Sequence, residues 1–262
     1  MRRYGRLYLN FLRFSFSRAM EFRMDFFFRI FMDVFFYAIN VAFYRVIYSH
    51  TPSLGGWTEA QTMVFVGCYL FLDALSMTVL SNNLFFLPTY INRGDLDYYL
   101  TRPVSPLFFL SLRDFAANSF VNLLLAAGLL GYFICQYDGD VAAWRVALLV
   151  VMLLVGALLR YIIRMFTIIP VFWWQSGRGL EMVFYNLTRF VERPDRIFTG
   201  WVRRLLTSVI PFALIASFPA RLFLDAFDWR ILAHLLVVTI CFGFGLSLFW
   251  KAGLRAYSSA SS

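Results

Sequence analysis

INRGDLDYYLTRPVSP (Ile91–Pro106) is a polar block set between two long apolar runs, and its placement decides how the rest of the chain is threaded. Gly94 permits a sharp turn, and Asp95 can cap the helix start that follows. Leu96, Tyr99 and Leu100 fall at i, i+3 and i+4, so a turn and a half of helix would carry an apolar face. Arg102 precedes Pro103, which demands extended backbone and stops that helix. Ser105-Pro106 then reads as an N-cap followed by proline at the first helical position, so a new helix starts there.

Composition sets the surroundings of this block. The 262 residues are 61% hydrophobic and 20% aromatic, with 32 phenylalanines and a mean hydropathy of +0.68. Soluble domains are roughly half apolar, so this excess, gathered into long runs, indicates an all-α integral membrane protein. The net charge of +9 comes almost wholly from arginine, because Lys251 is the sole lysine. In a membrane protein such charge marks the cytosolic edges of spans, and nucleic acid is not an expected partner. An arginine-rich start that leads into an apolar segment without a small-residue cleavage site does not read as a signal peptide.

The chemistry-bearing patterns are few. Cys68, Cys135 and Cys241 are scattered in apolar context, and His50 and His234 lack partners at ligand spacing, so no metal site is expected. There is no GxxxxGK[ST], HExxH or GxSxG, and no pair of Asp-rich motifs to hold magnesium. Asp95 and Asp97 form a single DxD that helix capping explains, and Asp138 and Asp140 read as a turn. No catalytic residue and no cofactor are expected in this chain.

Working outward, residues 3–23 place Arg3, Arg6, Asn10, Arg13, Ser17 and Glu21 on one stripe, with Tyr8, Phe11, Leu12, Ala19 and Phe22 opposite. That pattern suits an amphipathic helix lying along a membrane surface. Spans follow at about 26–49, 60–87, 106–134 and 143–165, each beyond the ~20 residues needed to cross. The connections 50–59 and 136–143 carry no arginine or lysine, whereas the N-terminal segment and the 88–105 loop do. The positive-inside rule therefore places the N-terminus and the 91–106 block in the cytosol. A last span at about 231–250, followed by Lys251 and Arg255, also ends inside. Two readings compete for the stretch between. Either Leu205–Leu224 is the fifth span, or about 166–190 is an imperfect fifth span and 191–229 forms a broken, re-entrant hairpin on the outer side. Charge counting favours the first. Pro211 and Pro219, which interrupt a helix at membrane depth, favour the second. Both give six crossings with both termini cytosolic.

Ionisable residues inside spans are candidates for function. Arg29 and Asp33, at i and i+4, read as a helix-surface pair. Arg113, Asp114, Arg160 and Arg164 read as helix-end residues that snorkel. Asp73 lies near mid-depth of the second span, and with Asn82 and Asn83 it is a candidate for lining a translocation path; the competing role is hydrogen bonding between helices.

With six spans, a surface helix and a structured cytosolic block, the chain resembles the permease subunit of a bacterial type-2 ABC exporter. The resemblance rests on I-x-x-G-x-L-D-x-x-L-x-R-P, filled here by Ile91, Gly94, Leu96, Asp97, Leu100, Arg102 and Pro103. Two further stretches match: VIPFALIASFPARLFL (Val209–Leu224) and a W-x-x-G-x-x-x-Y ending at Trp250, Gly253 and Tyr257. The resemblance implies one permease domain over 1–262 in the bacterial inner membrane. It implies pairing with a second permease, as homo- or heterodimer, and with ATP-binding subunits that carry ATP and magnesium. It further implies that 91–103 is a coupling helix that docks on the ATPase through Gly94, Leu96, Asp97, Tyr99, Leu100, Arg102 and Pro103, and that 191–229 is re-entrant. Lipid is the expected surrounding partner, and the path is expected between protomers, along spans one, two and five. The alternative from a different class is a stand-alone channel or secondary transporter using Asp73.

Overall fold

The computed structural model describes residues 2–19, 23–139, 141–176 and 178–257. In hydrocarbon every backbone N–H and C=O has to be paired within the chain, and long apolar runs meet that demand as helices. α1 spans Arg2–Ala19 and α2 Arg23–Tyr48. α3 (Glu59–Ser76) passes through a π turn, Met77–Ser81, into α4 (Asn82–Arg93), giving one rod of 35 residues. α5 (Asp97–Leu100), α6 (Pro106–Leu112) and α7 (Ala117–Cys135) follow. Next come α8 (Ala143–Ile168), α9 (Val171–Trp174) and α10 (Arg178–Thr188). α11 (Gly200–Arg204) with its π turn Leu205–Val209, α12 (Phe212–Leu224) and α13 (Trp229–Ala256) complete the bundle.

Among the described residues, four helical stretches are long and apolar enough to cross a membrane: Phe27–Tyr48, Glu59–Arg93, Ala143–Trp174 and Trp229–Ala256. The α11–α12 pair makes a fifth only if its two arms, bent by 94°, count as one span. Among the described residues the fold is all-α with membrane-spanning helices, as expected, but the six expected crossings are not all single helices, and each departure has a local cause.

The expected third span, 106–134, is broken between α6 and α7. The π turn frees the Thr78 carbonyl, which accepts from Ala116 N at 2.8 Å. Asn83 accepts from Asp114 N at 2.9 Å and donates to Asp114 O at 2.7 Å. Ser15 of α1 accepts from Phe115 N at 3.2 Å. Side chains and a displaced carbonyl thus satisfy backbone that a continuous helix would have paired internally. α1 is held on the same region by Tyr4–Phe108 and Phe11–Phe109 ring contacts at 4.8 and 5.1 Å. Its Arg6, Asn10 and Arg13 stay exposed, as the stripe predicts, while residues 20–22 lie outside the described residues.

Neither reading of the fifth span holds as a single helix. α8 runs on to Ile168, and α10 has only eleven residues. Leu205–Leu224 bends at Ile210–Pro211. The end of the bundle that carries the 49–58 and 136–142 loops is termed upper here. Both feet of the bent pair stand there: the Tyr44 hydroxyl donates to Glu192 O, the Arg196 guanidinium lies 5.4 Å from the Trp57 ring, and Tyr137 donates to Leu224 O. The tip sits deep, where Phe184 and Phe212 meet at 5.8 Å. α12 is buried along almost its whole length, packed on α3 and α8, which explains why it is apolar apart from Ser217 and Arg221. At Gly156 of α8 a Cβ would come within 2.3 Å of the Ile215 carbonyl, so only glycine allows this close crossing.

Several arginines around the bent pair meet acidic or aromatic partners. Asp195, with no exposed surface, accepts from Arg203 at 2.8 Å and Arg221 at 3.0 Å, and its N–H donates to Ser217 Oγ. Arg196 pairs with Asp225, and Arg193 lies over the Phe43 ring.

Candidate functional site

At the lower end, α4 stops because Gly94 adopts φ +79°, with its N–H donating to Ile91 O. That is the left-handed cap glycine supplies. α5 begins with Leu96 in the cap position and no side-chain cap bond, so Asp95 does not cap it. The turn is closed instead by Asp97 N to Gly94 O at 3.3 Å. Ser105 caps α6 as expected, accepting from Phe108 N at 3.4 Å with Pro106 at N1.

The apolar face of α5 divides. Leu96 is fully buried and Tyr99 nearly so, both packed into the lower core with Leu87, Ile91 and Leu110. The Tyr99 ring lies 5.4 Å from Phe109 and 5.9 Å from Tyr90, and its hydroxyl accepts from Arg113. Leu100 and Tyr98 point outward, 38% and 59% exposed, beside exposed Asp95, Thr101 and Pro103. Arg102 stacks its guanidinium 4.1 Å above the Tyr98 ring. The i, i+3 pair Leu96/Tyr99 therefore anchors the block to its own chain, and Tyr98, Leu100 and Arg102 form the presented surface. Tyr98 is the member that periodicity missed: in a helix of four residues, the face turned out is the one left after docking.

Asp97 lies on the side toward the C-terminal end of α13. Burial, then the nearby Asp97 carboxylate, push the Tyr257 phenol above its ordinary range. Trp250, Gly253 and Tyr257 all close on Phe172 of α9. Its ring sits 5.7 Å from Trp250 and 6.0 Å from Tyr257, and a Cβ at Gly253 would meet it at 2.6 Å. Two separate sequence motifs thus converge on one floor beneath α4 and α8.

Above this floor, α4, α8 and α10 enclose a cleft. Arg160 donates to Asp73 at 2.7 Å and Arg164 to Glu181 at 2.6 Å. Both arginines are only 8% exposed, so they are buried pairing residues and not snorkelling ones. Asn82 lines the cleft, Asp73 reaches it through Arg160, and Asn83 turns away to the α6–α7 break. The lower part of the cleft, about 540 Å³, is lined by Asn92, Thr167, Gln175 and Glu181 among others. The upper part, about 170 Å³, carries Arg160, Arg164, Phe184 and Tyr185. A spacing of four between arginines in an otherwise apolar helix was the available signal. Their partners, 87 and 17 positions away, gave no local sign. Asp33 of α2 also accepts from Asn122 of α7, a bond between helices that the i, i+4 spacing with Arg29 does not reveal.

A family model described as an ABC-2 family transporter protein matches residues 34–261, which include the lower block, the cleft and the C-terminal floor. The chain belongs to the ABC-2 transporter family. No curated protein and no solved structure matches it. Membership makes it a multi-pass membrane permease, the transmembrane component of an ABC transporter and not its ATPase, and such permeases work with an ATP-binding subunit in general.

Proposed function

We propose that this permease is half of the translocation path of an ATP-driven exporter, paired with a second permease and driven through the 91–103 segment. The observation that carries the reading is the rigid attachment of that segment. A rod of 35 residues is about 52 Å long, well beyond a ~30 Å hydrocarbon layer, which leaves length for its lower end to project from the bilayer. Leu96 and Tyr99 fix α5 to the end of that rod and to α6, which leads into α7. A push on Tyr98 and Leu100 would move α4 and α6 together and change the cleft between α4 and α10.

ATP and magnesium would belong to the partner. The arginine distribution supports a cytosolic lower end with both termini inside, and the bent α11–α12 pair would then be re-entrant from the outer side. Exposed Phe27, Phe28, Phe31 and Phe35 on α2 and Phe85 on α4 suit lipid or the second permease.

The test is co-purification and ATP hydrolysis with the co-expressed ATP-binding subunit. Tyr98→Asp with Leu100→Asp should release the subunit or uncouple its hydrolysis from the permease while leaving the bundle folded. Unchanged binding and coupling in that variant would refute docking at α5.

A further inference from the structure

We propose that the cleft between α4, α8 and α10 binds an anionic amphiphile, with its phosphate or carboxylate held between Arg160 and Arg164. This deepens, and rests on, the permease reading by naming the class of cargo. Arg160 and Arg164 each use Nη2 for an ion pair, with Asp73 and Glu181. Each leaves Nη1 buried without an acceptor among the described residues. An unpaired buried guanidinium nitrogen is unfavourable, more so at membrane depth. The two residues are one helical turn apart, about 6 Å of rise, and both line the upper part of the cleft. A single tetrahedral or planar anion between the two side chains would accept from both nitrogens once each guanidinium turns Nη1 toward the cleft.

The remaining walls are wrong for a free, fully hydrated anion. Leu80, Leu84, Phe85, Phe184 and Tyr185 surround the arginines, and the Arg164 guanidinium already lies 4.6 Å from the Phe184 ring. Leu80 and Tyr161 are shared with an adjoining groove of about 430 Å³, lined by Leu75, Val79, Leu107 and Phe108. Few convergent polar donors set in apolar walls, beside a groove of hydrocarbon character, fit a charged headgroup carrying an apolar chain.

The experiment is native mass spectrometry of the full-length permease in a neutral detergent, without any ATP-binding subunit, so that its failure leaves the docking claim untouched. Phosphatidic acid, phosphatidylcholine and inorganic phosphate are titrated in turn. Phosphatidic acid should bind about tenfold more tightly than phosphatidylcholine, and inorganic phosphate should not displace it at equal concentration. Arg160→Lys with Arg164→Lys keeps a cation opposite each carboxylate but removes the second nitrogen, and should erase the preference. Elution volume and thermal unfolding of that variant report its fold. Leu107→Trp, which narrows the groove and does not line the part of the cleft that carries the arginines, should weaken phosphatidic acid binding. Equal binding of the two lipids, full displacement by inorganic phosphate, or an undiminished preference in the folded lysine variant would each overturn the proposal.

Discussion

Arg160 of α8 donates to Asp73 of α3 across 2.7 Å, with 10% and 19% of the two side chains exposed, so each charge is tolerated in the bundle because of the other. The pair ties the long rod to α8 at the head of the cleft, and Asp73 is therefore not an isolated carboxylate. Removing one partner of such a pair strands the other.

Asp73→Leu alone should lower stability by about 3 kcal/mol, and Arg160→Met alone by a similar amount. The double variant should recover most of that loss, because neither charge is then buried alone. Thermal unfolding in detergent of the two single variants and the double variant measures the coupling, and simple additivity would contradict the pairing.

Gly156→Ala should destabilise by about 1–3 kcal/mol, since its Cβ would collide with the Ile215 backbone carbonyl and α12 cannot yield without leaving α3. Gly128→Ala, where nothing lies within 4 Å, is the matched control and should be tolerated or slightly stabilising. Equal effects of the two substitutions on unfolding temperature would argue against the close α8–α12 crossing.

Asp195→Ala should loosen the bent α11–α12 pair, because it leaves Arg203 and Arg221 without their shared carboxylate. A cysteine placed at Phe198 should then react faster with a water-soluble maleimide than in the unaltered background. Unchanged reactivity would mean that the ion cluster does not hold the pair.

Tyr257 gives a pH signature. Its phenol is raised in the folded protein by burial and by Asp97, so the folded state holds the proton more tightly than the unfolded chain. The associated stability is complete below the ordinary tyrosine pKa of about 10 and is lost as pH rises through the higher folded value. Tyr257→Phe removes this dependence, so the unfolding temperature of the unaltered protein should fall relative to that of the variant above about pH 10, with a constant difference below it. A gap that does not change with pH would remove Tyr257 from the contact with α5.

Much of this was legible in the sequence, and the gaps have physical causes. Gly94 and Ser105-Pro106 could be read because turn and cap preferences are local, and the structure uses both as their chemistry dictates. Four long helices could be read because hydrocarbon length is a property of one segment. The break between α6 and α7 could not, since it depends on a carbonyl released by a π turn at Thr78 and on Asn83, both on another helix. The same holds for Arg160 and Arg164, whose neutralising partners lie on α3 and α10. Asp95 misled because a two-residue turn from Gly94 already starts α5. The face of α5 misled because amphipathic spacing reports which residues seek burial, not whether a partner or the chain itself provides it.

The central claim is that the lower block meets the ATP-binding subunit. A photo-crosslinking residue at Tyr98, in permease co-expressed with that subunit, tests it most directly, with the same residue at Ser53 in the upper loop as the comparison. Tyr98 should capture the ATP-binding subunit and Ser53 should not. Capture from Ser53, or none from Tyr98 in complexes that still hydrolyse ATP, would contradict it.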